Sequence, residues 1–435
     1  MNVNLQYQVH SSDILTPVGN LSFDDDAKEY LDRIQKRSHV LFNGKTNFDV
    51  RLTRIRCKST EIIHRSGIAE SESVEEISFD RPSLSFIKDE YELDEHLKKS
   101  SEDLYRVISF SQEFSLDPLS CTKEAMMVTI RDCRVPLMFF DVLLKFGNQE
   151  QVFDESSGFR QACQRSESSF EISYQLMYVE PNGRRLGRDP WSYRQTGLYH
   201  RYQAKGSTNI FVLLHPKSDS VVQQRIESCS RSPEEKQSLA EHPMYLHLII
   251  LKSYTAHWQS YIEDLADGLA KIRSRILVLN VRESHFQPEK LQTLRNLEDK
   301  ISCKALRCLR STVKLVQTLK ELNVGLEGNK DLEFEEKTKQ VHQAFRLIIH
   351  RLEGHINAAE MLAERIQSTI GLFRDLLDLQ NQAASDKLDN HMLKLTRESV
   401  DDNATVRVIT FVTLIYLPAS FMAVSFKLYF LLIYF

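Results

Sequence analysis

The stretch Val406–Phe426, VRVITFVTLIYLPASFMAVSF, decides how the chain is read. From Val408 to Phe426 it carries nineteen residues without a formal charge. At about 1.5 Å of rise per residue, that is enough helix to cross a hydrocarbon core of roughly 30 Å. Alternating steps of three and four from the polar Asn403 just ahead of it collect Val406, Thr410, Thr413, Leu417, Ser420 and Val424 on one helical stripe. The remaining face holds Ile409, Phe411, Val412, Ile415, Tyr416 and Phe421. Such a helix suits a place where the stripe meets water or neighbouring helices and the bulk meets lipid. Thr and Ser also occur in membrane helices simply because their hydroxyls bond back to the backbone, so periodicity alone leaves both readings open.

Upstream, the third and longest helical segment starts near Leu332 and meets no strong breaker before Pro418. Phe334, Thr338, Val341, Phe345, Ile348, Leu352, Ala359, Leu362, Ile366, Phe373 and Leu377 form its apolar stripe. An unbroken helix over 332–426 is roughly 140 Å long and reads as a stalk that continues into a bilayer. Two helices precede it, Trp258 to about Leu279 and Pro288 to about Leu322, the second with Pro at its first turn. The loop NVGLEGNKD between them and the stalk lacks the GKS or GKT ending of a phosphate loop and reads as a helix connection.

Between about 105 and 255 the texture is different: short apolar runs rich in β-branched and aromatic residues, separated by turn residues. AMMVTI, PLMFFDVLLKF, FEISYQLMYVE, GLYHRYQ, NIFVLLH and MYLHLIILKSY are its candidate strands, and Asn182-Gly183 supplies a turn signal. The fold class expected is therefore an α+β domain, with a mixed or antiparallel sheet and helices, followed by a long stalk helix and a C-terminal transmembrane helix. The segmentation expected is a polar, partly ordered extension over 1–104, the α/β domain over 105–255, and a helical hairpin over 256–330. The stalk follows over 331–405, the membrane helix over 406–426 and an apolar tail over 427–435.

The balance of 56 Lys and Arg against 60 Asp and Glu, a net charge of −4, gives no general case for nucleic acid as a partner. Seven scattered cysteines without a CxxC pair read as thiols facing a reducing compartment. The N-terminus has neither a secretory nor a transit pattern, which leaves membrane delivery to the C-terminal segment. No GxSxG, HExxH, GxGxxG, complete Walker loop or EF-hand loop is present, so an enzyme is not expected, nor is a cofactor. His242 and His247, like His350 and His355, are five apart and fall on different helix faces, unlike the ligands of a zinc helix. The basic trio Arg184, Arg185 and Arg188 reads as a solvated loop, with an anion site as the alternative, and Asp386, Asp389, Asp401 and Asp402 read as exposed helix surface.

One helix cannot enclose a water path, whereas several symmetry-related copies place the Asn403–Val424 stripe around a common axis. Asn403 then forms a ring of amide oxygens at one mouth, Thr410, Thr413 and Ser420 add hydroxyl oxygens, and Leu417 forms an apolar constriction.

The order of these segments and the tract NATVRVITFVTLIYLPASFMAVSF resemble the CorA-like magnesium transporters, in particular their fungal branch, as does PWSYRQTGLYHRY. The resemblance spans roughly residues 105–426. It implies a cytosolic funnel, a homopentamer, Mg²⁺ as the transported or regulatory ion, and the seven stripe residues facing the ion path. Lys394, Arg397 and Arg407 before the segment, against Lys427 after it, also favour a cytosolic N-terminal part. The chain departs from the family where Gly-Met-Asn and a second membrane helix are expected. Lys427, Leu428 and Tyr429 stand there, and KLYFLLIYF adds eight apolar residues after its Lys. The expectation is a chain truncated after its first membrane helix and inactive alone, whether through an erroneous gene end, as a short form that joins full-length subunits, or as a degenerate copy. The alternative function is a tail-anchored, coiled-coil-like membrane scaffold or tether.

Overall fold

A computed structural model describes residues 24–43, 48–65, 72–79, 83–98, 103–147, 161–166, 169–183, 189–204, 207–232, 235, 237–239, 242–278, 288–326 and 332–434. Two compact units emerge: Met1–Gly268 with Leu297–Glu364, and Leu269–Asn296 with Arg365–Phe435.

The first unit is built on an eight-stranded sheet. Its strands are β1 (Val50–Arg65), β2 (Glu72–Phe79), β3 (Ser83–Ile87), β4 (Asp103–Ser111), β5 (Gln161–Arg165), β6 (Ser169–Pro181), β7 (Trp191–Gln203) and β8 (Thr208–His215). They run in the order β2-β1-β4-β8-β7-β6-β5, with β3 also paired to β1. Only β4 and β8 pair in parallel among the described strands, so the sheet is mixed. The hairpin expected from FEISYQLMYVE and GLYHRYQ is β6–β7, in register from Ser169 opposite Gln203 to Pro181 opposite Trp191. Past the last pair the Asn182 amide donates to the Pro190 carbonyl at 2.9 Å, and Gly183 has a φ of +66°, a conformation a glycine adopts without strain.

Helices α1 (Asp24–Leu41), α2 (Glu90–Lys98), α3 (Lys123–Asp132) and α4 (Met138–Leu143) contribute to one core with β1, β4, β7 and β8. Ile34, Leu41, Leu52, Ile108, Phe110, Met126, Ile130, Phe139, Phe140, Phe146, Tyr199, Val212 and Leu214 are all buried there. Gly197 on β7 lets α4 approach: a Cβ there would lie 2.7 Å from Val142 Cγ1 and 3.0 Å from Phe146 Cε2.

Four stretches differ from expectation. The stretch 1–104, read as a polar extension, supplies α1, α2 and β1 to β3 among its described residues, and Ile34, Leu41, Val50, Leu52, Ile87 and Leu93 are core. Charged residues separate these apolar ones, which hid the pattern. AMMVTI and PLMFFDVLLKF fall in α3 and α4, and MYLHLIILKSY falls in α6 (Tyr245–Tyr254), not in strands. A helix buried on every side shows no period, so a short apolar run does not separate it from a core strand. Ala125 to Ile130 of α3 are all buried, and the signal overlooked was its cap, Thr122, whose side chain accepts from the Ala125 amide.

After α5 (Val221–Arg231) and α6, helix α7 covers Trp258–Val278. The expected second helix is α8 (Pro288–Glu298), a π-helical segment (Asp299–Ala305) and α9 (Leu306–Val324) in unbroken succession. The expected stalk is one helix, α10, from Leu332 to Tyr434, with Pro418 inside it. Its apolar stripe is buried at Val341, Phe345, Ile348, Leu352, Ala359 and Leu362 in the first unit, and at Ile366, Ile370 and Phe373 in the second.

Phe345 is fully buried whereas Leu347, two residues on, is 71% exposed. Phe345→Ala is expected to cost about 3–5 kcal/mol through transfer and cavity terms, and Leu347→Ala less than about 0.5 kcal/mol. Denaturant titration of the two variants beside the parent checks the contrast; equal losses would overturn the assignment of the buried face.

Candidate functional site

At 100° per residue the seven stripe residues fall within a sector of about 100° on α10. The structure therefore lines Asn403, Val406, Thr410, Thr413, Leu417, Ser420 and Val424 along one side of the helix. It brings them to a common face, not to a common point. The large apolar residues from Val406 to Ile433 are exposed on both faces, Leu417 on the stripe to 65% and Ile415 opposite it to 68%; Phe421, five turns on from Asn403, falls on the stripe side and not on the remaining face. An apolar surface of this extent in water marks an interaction site. Among the described residues, α10 is the one helix long and apolar enough to cross a membrane, and none of its apolar window is buried.

Each hydroxyl of the stripe uses its hydrogen on the helix itself. Thr410 Oγ1 donates to the Val406 carbonyl at 2.7 Å, Thr413 Oγ1 to those of Ile409 at 2.6 Å and Thr410 at 3.0 Å, and Ser420 Oγ to that of Leu417 at 3.0 Å. With the O–H spent on the backbone, what these side chains have left to offer is oxygen lone pairs. That chemistry suits a cation or its water shell. Thr410, Thr413, Leu414, Leu417, Pro418 and Phe421 line one shallow open groove at mid-segment. Among the described residues no group of three His, Cys, Asp or Glu side chains is placed to hold a metal ion. Asp386, Asp389 and Asp402 lie on exposed helix surface, Asp401 has no described side-chain surroundings, and Arg184, Arg185 and Arg188 lie outside the described residues.

The tract PWSYRQTGLYHRY serves the interior of the first unit. Trp191 Nε1 donates to Asp264 Oδ2 on α7 at 3.1 Å. Tyr193 donates its hydroxyl hydrogen to the Lys300 carbonyl at 3.1 Å, so Tyr261 is the donor in the 3.0 Å bond between the two tyrosine oxygens. Lys300 Nζ meets Asp189 Oδ2 at 2.6 Å. The strand is thereby clamped onto the π-helical segment, a widened turn that nothing in the sequence pattern announced.

His200, from the same tract, joins a fully buried chain whose direction is fixed. Asn209 donates its amide to the Ser207 carbonyl, so its oxygen accepts from His200 Nε2 at 3.1 Å. His200 Nδ1 must then accept from His247 Nε2 at 2.9 Å, and His247 Nδ1 from the Tyr174 hydroxyl at 3.0 Å. Every member is neutral. His242, just before α6, points to another element: its Nδ1 accepts from the Met244 amide and its Nε2 donates to Thr338 Oγ1 of α10 at 3.3 Å. His247 lies on α6 and His242 outside it, so the two do not share a helix, whereas their spacing alone sets them on different faces of one. Asn323 adds a bond from α9 to the Thr338 carbonyl at 3.0 Å, so Thr338 ties the root of α10 to two other elements.

Burial holds His247 down to about 3, and burial with the nearby Lys337 charge holds His242 down to about 4. Burial, then His247, lowers His200 well below its ordinary value of 6.5.

A mixed α+β domain carried on a single long helix, whose far end is a membrane-span candidate, defines a membrane-associated protein with a large water-exposed part. A family model described as CorA-like transporters matches residues 18–277, more than half of the chain, and the chain belongs to that family. The match covers the sheet domain, including the stretch first read as an extension, and ends before α10. No curated protein sequence matches. Among solved structures, the chain resembles full-length CmaX at 13% identity, over 80% of this chain and 82% of that one, with a TM-score of 0.41. It also resembles the complete CorA magnesium transporter from Methanocaldococcus jannaschii at 13% identity, over 81% and 82%, with a TM-score of 0.35. The ZntB cytoplasmic domain from Vibrio parahaemolyticus RIMD 2210633 follows at 10% identity, over 66% and 93%, with a TM-score of 0.34. These likenesses are distant, and membership rests on the family model.

The buried histidines set a pH dependence. Below about 6.5 the unfolded chain takes up protons that the folded chain refuses until about 3 to 4. Stability is therefore complete above about pH 6.5 and falls as pH drops, by about 1.4 kcal/mol per unit for each histidine held neutral. Replacing His242 and His247 with Gln is expected to flatten the melting temperature against pH between 6.5 and 4. An unchanged slope would show that other groups govern acid stability.

Proposed function

We propose that the chain is a subunit of a CorA-like divalent-cation transporter, with Mg²⁺ as its ion, and that alone it does not conduct. The observation that carries the reading is the combination of family membership with the Asn403–Val424 stripe on the span candidate, exposed except at the half-buried Ser420. Several copies, five by resemblance to the family, or copies mixed with full-length paralogous subunits, would turn their stripes to a shared axis. The apolar faces opposite would meet lipid. Asn403 then supplies amide oxygens at the mouth nearer the sheet domain, on the cytosolic side, and Thr410, Thr413 and Ser420 supply lone pairs along the path. Leu417 narrows it with an apolar ring that impedes ions by dewetting. Inactivity alone follows from chemistry: Lys427, Leu428 and Tyr429 stand where the Gly-Met-Asn filter is expected, and an ammonium group repels a dication.

A second reading is favoured by the exposure of α10 on all sides among the described residues from Ala384 to Ala419, which suits a self-associating rod that carries a membrane anchor. That reading makes the protein a scaffold or tether.

Mg²⁺ uptake in cells lacking their own transporter tests the first reading. The parent chain is expected to give none, and a chain with Gly-Met-Asn and a second membrane helix restored is expected to take up the ion, losing it again on Leu417→Lys. A properly inserted restored chain without uptake would overturn the proposal. Mass in detergent separates the readings further, since a large oligomer that compacts with Mg²⁺ fits the transporter and a metal-indifferent monomer or dimer fits the tether.

A further inference from the structure

The helical rise, the exposed apolar surface and two cationic side chains together fix where a bilayer meets α10. Resting on the membrane reading above, we propose that Arg407 and Lys427 bracket the hydrocarbon core, one at each face, and that Leu428–Ile433 lies in the far headgroup layer. The two side chains are twenty residues apart in one unbroken helix, a rise of about 30 Å. That equals the usual hydrocarbon thickness. No charged residue lies between them.

The competing register places the apolar residues after Lys427 inside the core. From Arg407 to Tyr434 the rise is about 40 Å, and fitting it into 30 Å demands a tilt of about 40°, the limit of what membrane helices show. Sliding the helix instead, so that the core runs from about Leu414 to Tyr434, pulls Val408, Ile409, Phe411 and Val412 into water. All four are large exposed hydrophobics. It also drags the Lys427 ammonium about 10 Å into hydrocarbon, where a cation is strongly disfavoured. The bracketed register avoids both costs. It leaves six apolar residues, about 9 Å of helix, for a headgroup layer about 5–8 Å deep, and it sets Tyr429 and Phe430 where aromatic rings favour the interface. Asn403 then sits about 6 Å outside the core on the domain side, at the level of water, while Thr410 to Val424 lie within it.

The test keeps both cations and reads depth around them. In the full chain in sealed vesicles of phosphatidylcholine and phosphatidylglycerol, single changes Ala404→Cys, Val412→Cys, Ala419→Cys, Leu428→Cys and Leu431→Cys are exposed to a membrane-impermeant maleimide from either side. Labelling is read peptide by peptide by mass spectrometry, which separates it from the native cysteines. The expected result is reaction at 404 from the domain side alone, at 428 and 431 from the opposite side alone, and at 412 and 419, which face away from the stripe, from neither. Adding Lys427→Leu is expected to lower labelling at 428 several-fold as the helix slides inward. Protection at 428 and 431 together with domain-side reaction at 412 would overturn the register while leaving the membrane span intact. Reaction of all five positions from one side would overturn the span itself.

Discussion

A helix can bury a face against its own chain only for as long as that chain has something to lay there. On α10 the buried stripe runs to Phe373, and from Ala384 to Ala419 every residue whose surroundings are described is exposed. The constraint is the same throughout the remainder: a continuous helical backbone satisfies its own hydrogen bonds and so tolerates lipid, but its apolar side chains have no home within one molecule. The membrane reading follows from that unmet requirement. The charged length around Lys394 and Arg397 suits water and the uncharged length after Arg407 suits hydrocarbon, so one rod changes solvent along its axis.

How much of this could be read from sequence depended on whether a segment has two unlike faces. The β6–β7 hairpin and α7 were legible because turn signals or periodicity marked them, and the stripe from Val341 to Phe373 was legible because polar residues fill the opposite face. Helices α3 and α6 were not, since Met126, Met127 and Val128, or Leu246 to Leu251, are buried all round and leave no period to detect. The strands and helices before residue 98 escaped for the opposite reason. Leu52 sits between Arg51 and Thr53, and Arg54 is itself buried, so a core strand carried a surface composition.

For the candidate site, the stripe's placement on one side of a helix was readable, while the use of its hydroxyl hydrogens was not, because that depends on rotamers. The tract PWSYRQTGLYHRY illustrates the same limit. Its resemblance to a family was visible as a string of letters, yet its physical work lies in partners distant in sequence: Asp264, Tyr261 and Lys300 for the first half, Asn209 and His247 for the second. A string of aromatic and cationic residues does not announce that it will become a clamp and a proton-ordered chain.

Pro418 has a mechanical meaning. Lacking an amide hydrogen, it leaves the Leu414 carbonyl without its usual helical donor, and its ring presses on that same turn. Beside it, Thr413 and Ser420 crowd the carbonyls of Ile409, Thr410 and Leu417 with second donors. The rod is therefore weakest within a turn of Leu417. A torque or lateral load arriving along α10 would be relieved there first, as a hinge beside Pro418, while the lengths on either side move as stiff levers.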